Sequence, residues 1–371
     1  MKITVIGWEL PPAFSGGLGI HTINLFSIIS KFAEVEIYIP NMARSYPVYP
    51  FSVRTVQLTS QGFKSSYEPI ITNFYDAVEE YNQKVVKAFN PKNTAVIHCH
   101  DWITFKAGVE IKEKYGIPLV VTVHSTEIDR SGNFYPQRSI MDIEEQGLKK
   151  ADHIIAVSDY TRKIITDTYG VPDSKITTIY NGLGKHFSSI PPKNYNLSGY
   201  VLYFGRVTMQ KGPIFFVEAA KKVIDEIHGL KFIMAGTGEQ LEEMKTLSKT
   251  LSINKNMIFT GFVEFNKAMQ YYRNSDLFVL PAVSEPFGIT VLEAMSSGTP
   301  AIISKTTGVG EALKNILKAD FWDTDLIAEY ILGTIKYRSL RSTLGSMGQM
   351  EAKKFTWEKA AIKTMEVYLS L

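Results

Sequence analysis

The stretch PAVSEPFGITVLEAM, residues 281–295, carries two carboxylates eight positions apart: Glu285 before a Pro-Phe-Gly turn, and Glu293 inside the helix predicted to follow. One acidic group is enough to sit against the positive end of a helix, so Glu285 taken alone reads as a helix N-terminal charge. Glu293 lies too far along for that role. A carboxylate there suits both hydroxyls of a ribose, as acidic residues do in dinucleotide-binding folds. Between the two, Gly288 permits close backbone approach, and the amides of Ile289 and Thr290 open a helix whose free N–H groups attract phosphate. Upstream, FGRVTMQKG puts Arg206 at a strand end and Lys211 near the next helix start. A forked guanidinium and a point-charge ammonium at a helix entrance suit a diphosphate, while a solvated basic loop is the alternative for that stretch on its own.

The first half offers a second set. SGGLG lies between the first predicted strand and helix, where a glycine turn approaches phosphate, although it does not meet the spaced dinucleotide fingerprint. His21 stands one turn into that helix, as a site residue or a partly exposed helix histidine. In HCHD, His98 and His100 share one face of a strand, which invites a metal reading. No third ligand is near in sequence, and core packing is the favoured reading. Asp101 ends the strand and is placed both for chemistry and for capping the helix that begins at WITF. His124 ends the strand LVVTVH. Asp323 and Asp325 in FWDTDLIAEY resemble a metal-binding pattern but read as a helix N-cap, because a long helical pattern follows at once.

Two strand-helix alternations must position these residues. KITVIG, VEIYIP, AVIHCH, LVVTVH, HIIAVS and KITTIY read as strands of one parallel sheet; YVLYFG, KFIMAG, MIFTGF, LFVLPA and PAIIS read as strands of another. The helical stretches between them include GIHTINLFSIISKFA, DWITFKAGVEIKEKYG, PIFFVEAAKKVIDEI and QLEEMKTLSKTL. The linker is NGLGKHFSSIPPKNYNLSG, which predicts Rossmann-like domains at 1–185 and 186–356. Ligands of such sheets sit beyond the carboxyl ends of the strands, so a cleft between the domains is the expected site. At 371 residues the chain is long enough for two cores, and its composition is that of a folded protein. A net charge of +3, with no run of like charges or basic-aromatic stripe, gives no sign of nucleic-acid binding, though a basic patch could serve a phosphorylated ligand. Cys99 is the only cysteine, so no internal disulfide forms, and it is expected to be a buried strand residue. The apolar part of MKITVIGWELPP is too short for a signal peptide and no run reaches the length of a membrane span, which makes the cytoplasm the expected location.

Together, VIGWELPPAFSGGLGIHT, HCHDW, VTVHSTEIDRSGN, FGR…QKG and SEPFGITVLEAM…GTP resemble the retaining B-type glycosyltransferases of the family four/five type, within them the glycogen and starch synthase-like branch. The blocks span nearly the whole chain in the expected order. The resemblance implies the α/β GT-B fold, two Rossmann-like domains facing a central cleft, with residues 357–371 forming a terminal helix that crosses back to the first domain. It implies that Arg206 and Lys211 bind the donor diphosphate, Glu293 the donor ribose, and Glu285 hydroxyls of the transferred sugar. Phe287, Gly288, Ile289 and Thr290 would supply backbone contacts, Gly236, Gly238 and Val263 would line the nucleoside pocket, and Gly17 and Leu18 would lie over the donor phosphates. Asp101 would face the acceptor and donor sugars and His124 the reacting sugar, with His21, Glu127 and Arg130 on the acceptor side.

The activity so implied is transfer of glucose, with retention, from UDP-glucose or ADP-glucose to an α-glucan or a short glucoside such as a maltose phosphate. A retaining double displacement needs a nucleophilic carboxylate beside an acid/base. No pair here offers an assignable nucleophile, which favours the same-face route proposed for the superfamily, with domain closure excluding water. No metal or other cofactor is expected. The alternatives are a mannosyl- or glucosyltransferase acting on a small or lipid acceptor, a nucleotide-sugar epimerase, and a non-catalytic nucleotide-sugar or glucan binder. The chain lacks the insertions of the larger synthases, and Gly184 stands where relatives often carry Asp or Asn, so the linker is given no donor role. Donor base, transferred sugar, acceptor and oligomeric state are not legible in these residues.

Overall fold

The structure, a computed structural model, describes residues 1–13, 16–43, 45–59, 74–132, 134–195 and 199–371. Ser15 of the first glycine turn and residues 196–198 of the linker lie outside the described residues. The chain divides into two compact units: Met1–Ile128 with Pro136–Gly182 and Thr356–Leu371, and Asp129–Tyr135 with Leu183–Phe355. The helix Trp357–Leu369 thus returns to the first unit. Among the described residues no helix is long and apolar enough to cross a membrane.

In the first unit the β-branched runs form β1 (Lys2–Ile6), β2 (Glu34–Pro40), β3 (Ser52–Val56), β4 (Thr94–His100), β5 (Leu119–Val123), β6 (His153–Ala156) and β7 (Ile176–Thr178). They pair in parallel in the order β3-β2-β1-β4-β5-β6-β7. Side chains alternate across the sheet. Ile97 and Cys99 of β4 join the core shared with the helices Phe74–Ala88 and Trp102–Tyr115. Val96 faces the opposite core, which is built from Leu25, Phe26 and Ile29 of the helix Gly17–Ile29 and Trp357, Ala360 and Val367 of the terminal helix. By the same alternation His98 and His100 point to that second face.

In the second unit β8 (Val201–Phe204), β9 (Phe232–Ala235), β10 (Met257–Gly261), β11 (Leu277–Leu280), β12 (Ala301–Ser304) and β13 (Leu317–Ala319) form a parallel sheet ordered β10-β9-β8-β11-β12-β13. The sequence reading placed no strand at β3 or β13. Both lie at sheet edges, and β3 is mostly exposed, so neither shows the continuous apolar run that marks the buried strands. Strand order reverses between β1 and β4 and between β8 and β11. These switch points open a crevice at the strands' carboxyl ends, and the loops that follow carry the candidate residues.

Candidate functional site

In the second unit the loop after β8 packs against the loop after β11. The backbone N–H of Ser284 donates to the Gln210 carbonyl at 3.2 Å, and Lys211 Nζ donates to Glu285 Oε2 at 2.6 Å. Each side chain of this ion pair is 13% exposed. The residues assigned from sequence to different parts of a ligand therefore hold each other. Arg206 is exposed and its guanidinium donates to Gln210 Oε1 at 3.2 Å.

The turn after Glu285 is fastened by Gly308 N–H donating to the Glu285 carbonyl at 2.8 Å and Val309 N–H to that of Phe287 at 2.7 Å. Gly288 has φ +104 and precedes the helix Ile289–Ser296. A Cβ there would come within 3.2–3.3 Å of Thr307, Val291 and Val309, and a left-handed backbone disfavours any side chain. Phe287 is buried, while Ile289 and Thr290 are half-buried at the helix start. Glu293 points inward, where its Oε2 accepts from the Tyr272 hydroxyl at 2.9 Å. Burial pushes its carboxyl up to about 7, against the opposing pull of that hydrogen bond.

Gly236 and Gly238 follow β9 and bring two backbones together. A Cβ on Gly238 would lie 2.2 Å from the Val207 carbonyl oxygen. The absence of one lets Val207 N–H donate to Thr237 O at 2.8 Å and Gln240 N–H to Val207 O at 3.0 Å. Val263 is half-buried just after β10. Asp323 caps its helix by accepting from Leu326 N–H, and Asp325 pairs with Lys222, as an N-cap reading of that motif requires.

In the first unit Gly17 and Leu18 open the helix that follows β1. The Gly19 amide donates to Glu9 Oε2 at 3.2 Å, so a buried carboxylate already occupies part of the helix start assigned to phosphate. His21 is buried, and its Nδ1 meets Asn181 Oδ1 at 2.7 Å. Asp101 precedes the helix Trp102–Tyr115 without making a side-chain cap bond. Its Oδ1 instead accepts from the backbone N–H groups of His124 at 2.7 Å and Ser125 at 3.3 Å. The expected cap is therefore absent: the backbone at φ +56, ψ 170 turns the side chain toward the end of β5.

The strand histidines separate in role. His98 is a core residue whose two ring nitrogens meet the Tyr368 hydroxyl and Thr122 Oγ1. His100 Nδ1 lies 3.0 Å from His124 Nε2, and the His21 ring packs edge-on against His124 with centroids 4.4 Å apart. The sequence reading found no third ligand beside HCHD; the fold brings His21 there from the helix Gly17–Ile29 and His124 from the loop after β5. Burial holds the His21 imidazole at about 4, despite the Asn181 hydrogen bond, and holds those of His100 and His124 well below their ordinary range. Glu127 is buried, with Oε1 accepting from Gln137 N–H at 3.1 Å and its own N–H donating to Glu144. Arg130 is half-buried at the end of the short helix Glu127–Arg130 and groups with the second unit.

Residues 15–184 match the family model for Glycosyltransferase Family 4, and residues 190–346 match that for Glycosyl transferases group 1. The chain belongs to the GT-B glycosyltransferases. It is 28% identical to an uncharacterized glycosyltransferase of Methanocaldococcus jannaschii over 99% of this chain and 98% of that protein. It is 24% identical to an alpha-maltose-1-phosphate synthase of Mycolicibacterium smegmatis over 99% of each chain. In fold it is similar to Anabaena Alr3699/HepE in complex with UDP-glucose, at TM-score 0.78 and 18% identity over the whole of both chains.

Several residues of this glycosyltransferase that hold the candidate groups carried no motif signal. Tyr272 fixes Glu293, Asn181 fixes His21, and Glu9 meets the first helix start. Asp129 is fully buried and accepts from the Ser284 hydroxyl at 2.5 Å, tying the segment 129–135 to the loop that bears Glu285. Only the buried acid Glu9, in an otherwise apolar GWELPP, stands out in sequence as a charge needing a partner.

Proposed function

We propose that this glycosyltransferase moves glucose, with retention of configuration, from a nucleotide sugar, UDP-glucose or ADP-glucose, to an α-glucan or a short glucoside. The observation that carries the reading is the gathering of Arg206, Lys211, Glu285 and the Gly288 helix start on joined loops at the β8/β11 switch point. Positive groups and helix amides at one place suit a leaving diphosphate, whose developing charge they stabilise. Glu285 is placed for hydroxyls of the transferred sugar and Glu293 for the ribose. Gly17, Leu18, Gly236, Gly238 and Val263 complete the donor-binding set, with Phe287, Ile289 and Thr290 offering main-chain groups. Asp101 anchors the main chain of His124; Asp101 is assigned to the acceptor and donor sugars and His124 to the reacting sugar.

On this reading the acceptor hydroxyl attacks from the side the diphosphate leaves, and the leaving oxygen takes up the proton. No protein carboxylate forms a covalent intermediate and no metal is required. The similarity to an alpha-maltose-1-phosphate synthase along the whole chain supports a short acceptor, and the fold shared with a UDP-glucose complex supports the donor class. The test is a matrix of labelled nucleotide sugars against glucan, maltose, glucose phosphate and lipid acceptors, with the product anomer assigned by NMR. An α-linked glucoside formed only with acceptor present is the expected result. Sugar interconverted without acceptor, or binding without turnover, would refute it.

A further inference from the structure

The imidazoles of His21, His100 and His124 form a cluster to which the proposed transfer chemistry gives no joint role. One ring nitrogen from each lies within 4.8 Å of one from each of the others. His100 Nδ1 and His124 Nε2 share a hydrogen bond of 3.0 Å, near the separation of about 3.3 Å that two nitrogens about 2.0–2.1 Å from one tetrahedral zinc would have, and an ion there would replace that bond. Asn181 receives His21 Nδ1 at 2.7 Å, which fixes that ring with Nε2 as its lone-pair nitrogen. His21 Nε2 and His100 Nε2 are both buried without a hydrogen-bond partner. A buried polar atom without a partner is costly, and an ion bound by His21 Nε2 would satisfy that ring.

We propose that His21, His100 and His124 bind one divalent transition-metal ion of the zinc class. The three rings come from separate elements: the helix after β1, the end of β4 and the loop after β5. All three belong to the first unit, so the site is complete within one compact body. Three imidazoles without a carboxylate suit zinc, copper or nickel and disfavour magnesium or calcium, which take oxygen ligands. One of the ligands is His124, assigned above to the reacting sugar, so zinc occupancy and transfer compete; that corollary rests on the proposed function, whereas the binding itself does not.

The test uses the full chain without a histidine tag. It is dialysed with zinc chloride and then zinc-free buffer, and metal content is read by mass spectrometry; cobalt chloride gives a visible ligand-field spectrum in parallel. One zinc per chain and an intense cobalt absorption are expected from the wild-type protein. His21→Phe and His100→Phe, which keep an aromatic ring of similar size, should lose both. Asn181→Ala should weaken zinc binding by about tenfold or more through the ring it orients. The half-buried His153 and the exposed His228 supply the control, and His153→Ala and His228→Ala should bind zinc unchanged. The proposal falls if wild-type protein retains no stoichiometric zinc. It falls equally if folded His21→Phe and His100→Phe proteins bind zinc as tightly as wild type, or if binding disappears with His153 or His228. No reading requires transfer activity, so failure of the proposed reaction would leave this outcome legible.

Discussion

Replacing both members of the Lys211–Glu285 pair should cost no more stability than replacing either one alone, and should restore none of the activity. The pair is 2.6 Å long and each side chain is 13% exposed, so neither charge has much water to turn to when its partner is removed. Breaking a buried pair from one side costs about 3–5 kcal/mol, and the residual exposure puts this pair near the lower figure, about 3 kcal/mol. Lys211→Met leaves Glu285 with only a long 3.4 Å contact from Phe287 N–H to its Oε1. Glu285→Leu leaves the Lys211 ammonium, 13% exposed, without its carboxylate. Each single variant should lose about 3 kcal/mol, while the double variant should lose no more than about 3 kcal/mol in total, a coupling of about 3 kcal/mol. Urea unfolding measures this, fitted with separate transitions because the two units need not unfold together. Transfer should fall by about 10² or more in all three proteins, since the charge that stabilises the leaving group is gone in each that lacks Lys211, and the sugar contact in each that lacks Glu285. Additive stability losses would refute the idea that the two charges rely on one another. Normal transfer in the double variant would refute their place in the reaction.

Further outcomes follow from the neighbouring residues. The Glu293 carboxyl is raised in the folded protein, so the fold binds more protons than the unfolded chain between the ordinary glutamate value and about 7; stability should fall as pH rises through that window, and Glu293→Gln should flatten the profile in denaturation followed across pH. Donor affinity should move the opposite way, strengthening as Glu293 ionises, and titration calorimetry from pH 6 to 8 checks it. Gly238→Ala drives a methyl to 2.2 Å from the Val207 oxygen, so the loops must part; a loss of about 1–3 kcal/mol is expected by thermal denaturation, with weaker nucleotide binding. Asp323→Ala removes a helix cap remote in role from the site and should cost about 1 kcal/mol with transfer rates unchanged.

Much of the fold was legible because both sheets are parallel and covered on both faces, which writes their central strands as continuous apolar runs. The edge strands β3 and β13 escaped for the same reason in reverse: a strand with one unpaired side carries polar residues such as Arg54 and Lys318 and loses the run. The donor-side loops were legible as residue types, since Arg, Lys, Gly and Glu each bring a distinct chemistry and lie close in sequence. Their pairing was not. Lys211 and Glu285 are 74 positions apart, and nothing in either segment names the other. The histidines show the limit most plainly. His98 and His100 look equivalent on one strand face, yet Tyr368, from the far end of the chain, satisfies the first, while His21 and His124 meet the second.

A common feature of the candidate groups is that a protein partner holds each before any ligand arrives. Glu285 has Lys211, Glu293 has Tyr272, His21 has Asn181, and Asp101 has the amides of His124 and Ser125. Rotamers fixed in this way lower the entropy lost when substrate binds, but they also change the charge that substrate meets. The Lys211–Glu285 pair is neutral as a unit, so of the two cations in the β8 loop only Arg206 adds a net positive charge to the set. A diphosphate placed there would therefore depend on Arg206 and on the helix opening at Gly288, with its partial positive end, more than a count of basic residues suggests. Lys211 then acts as the group that can turn from Glu285 toward charge developing on the leaving oxygen. A cation held by a carboxylate in the resting site gives the larger part of its attraction to the transition state, where the opposing charge is greatest, and that difference between states is what speeds a reaction.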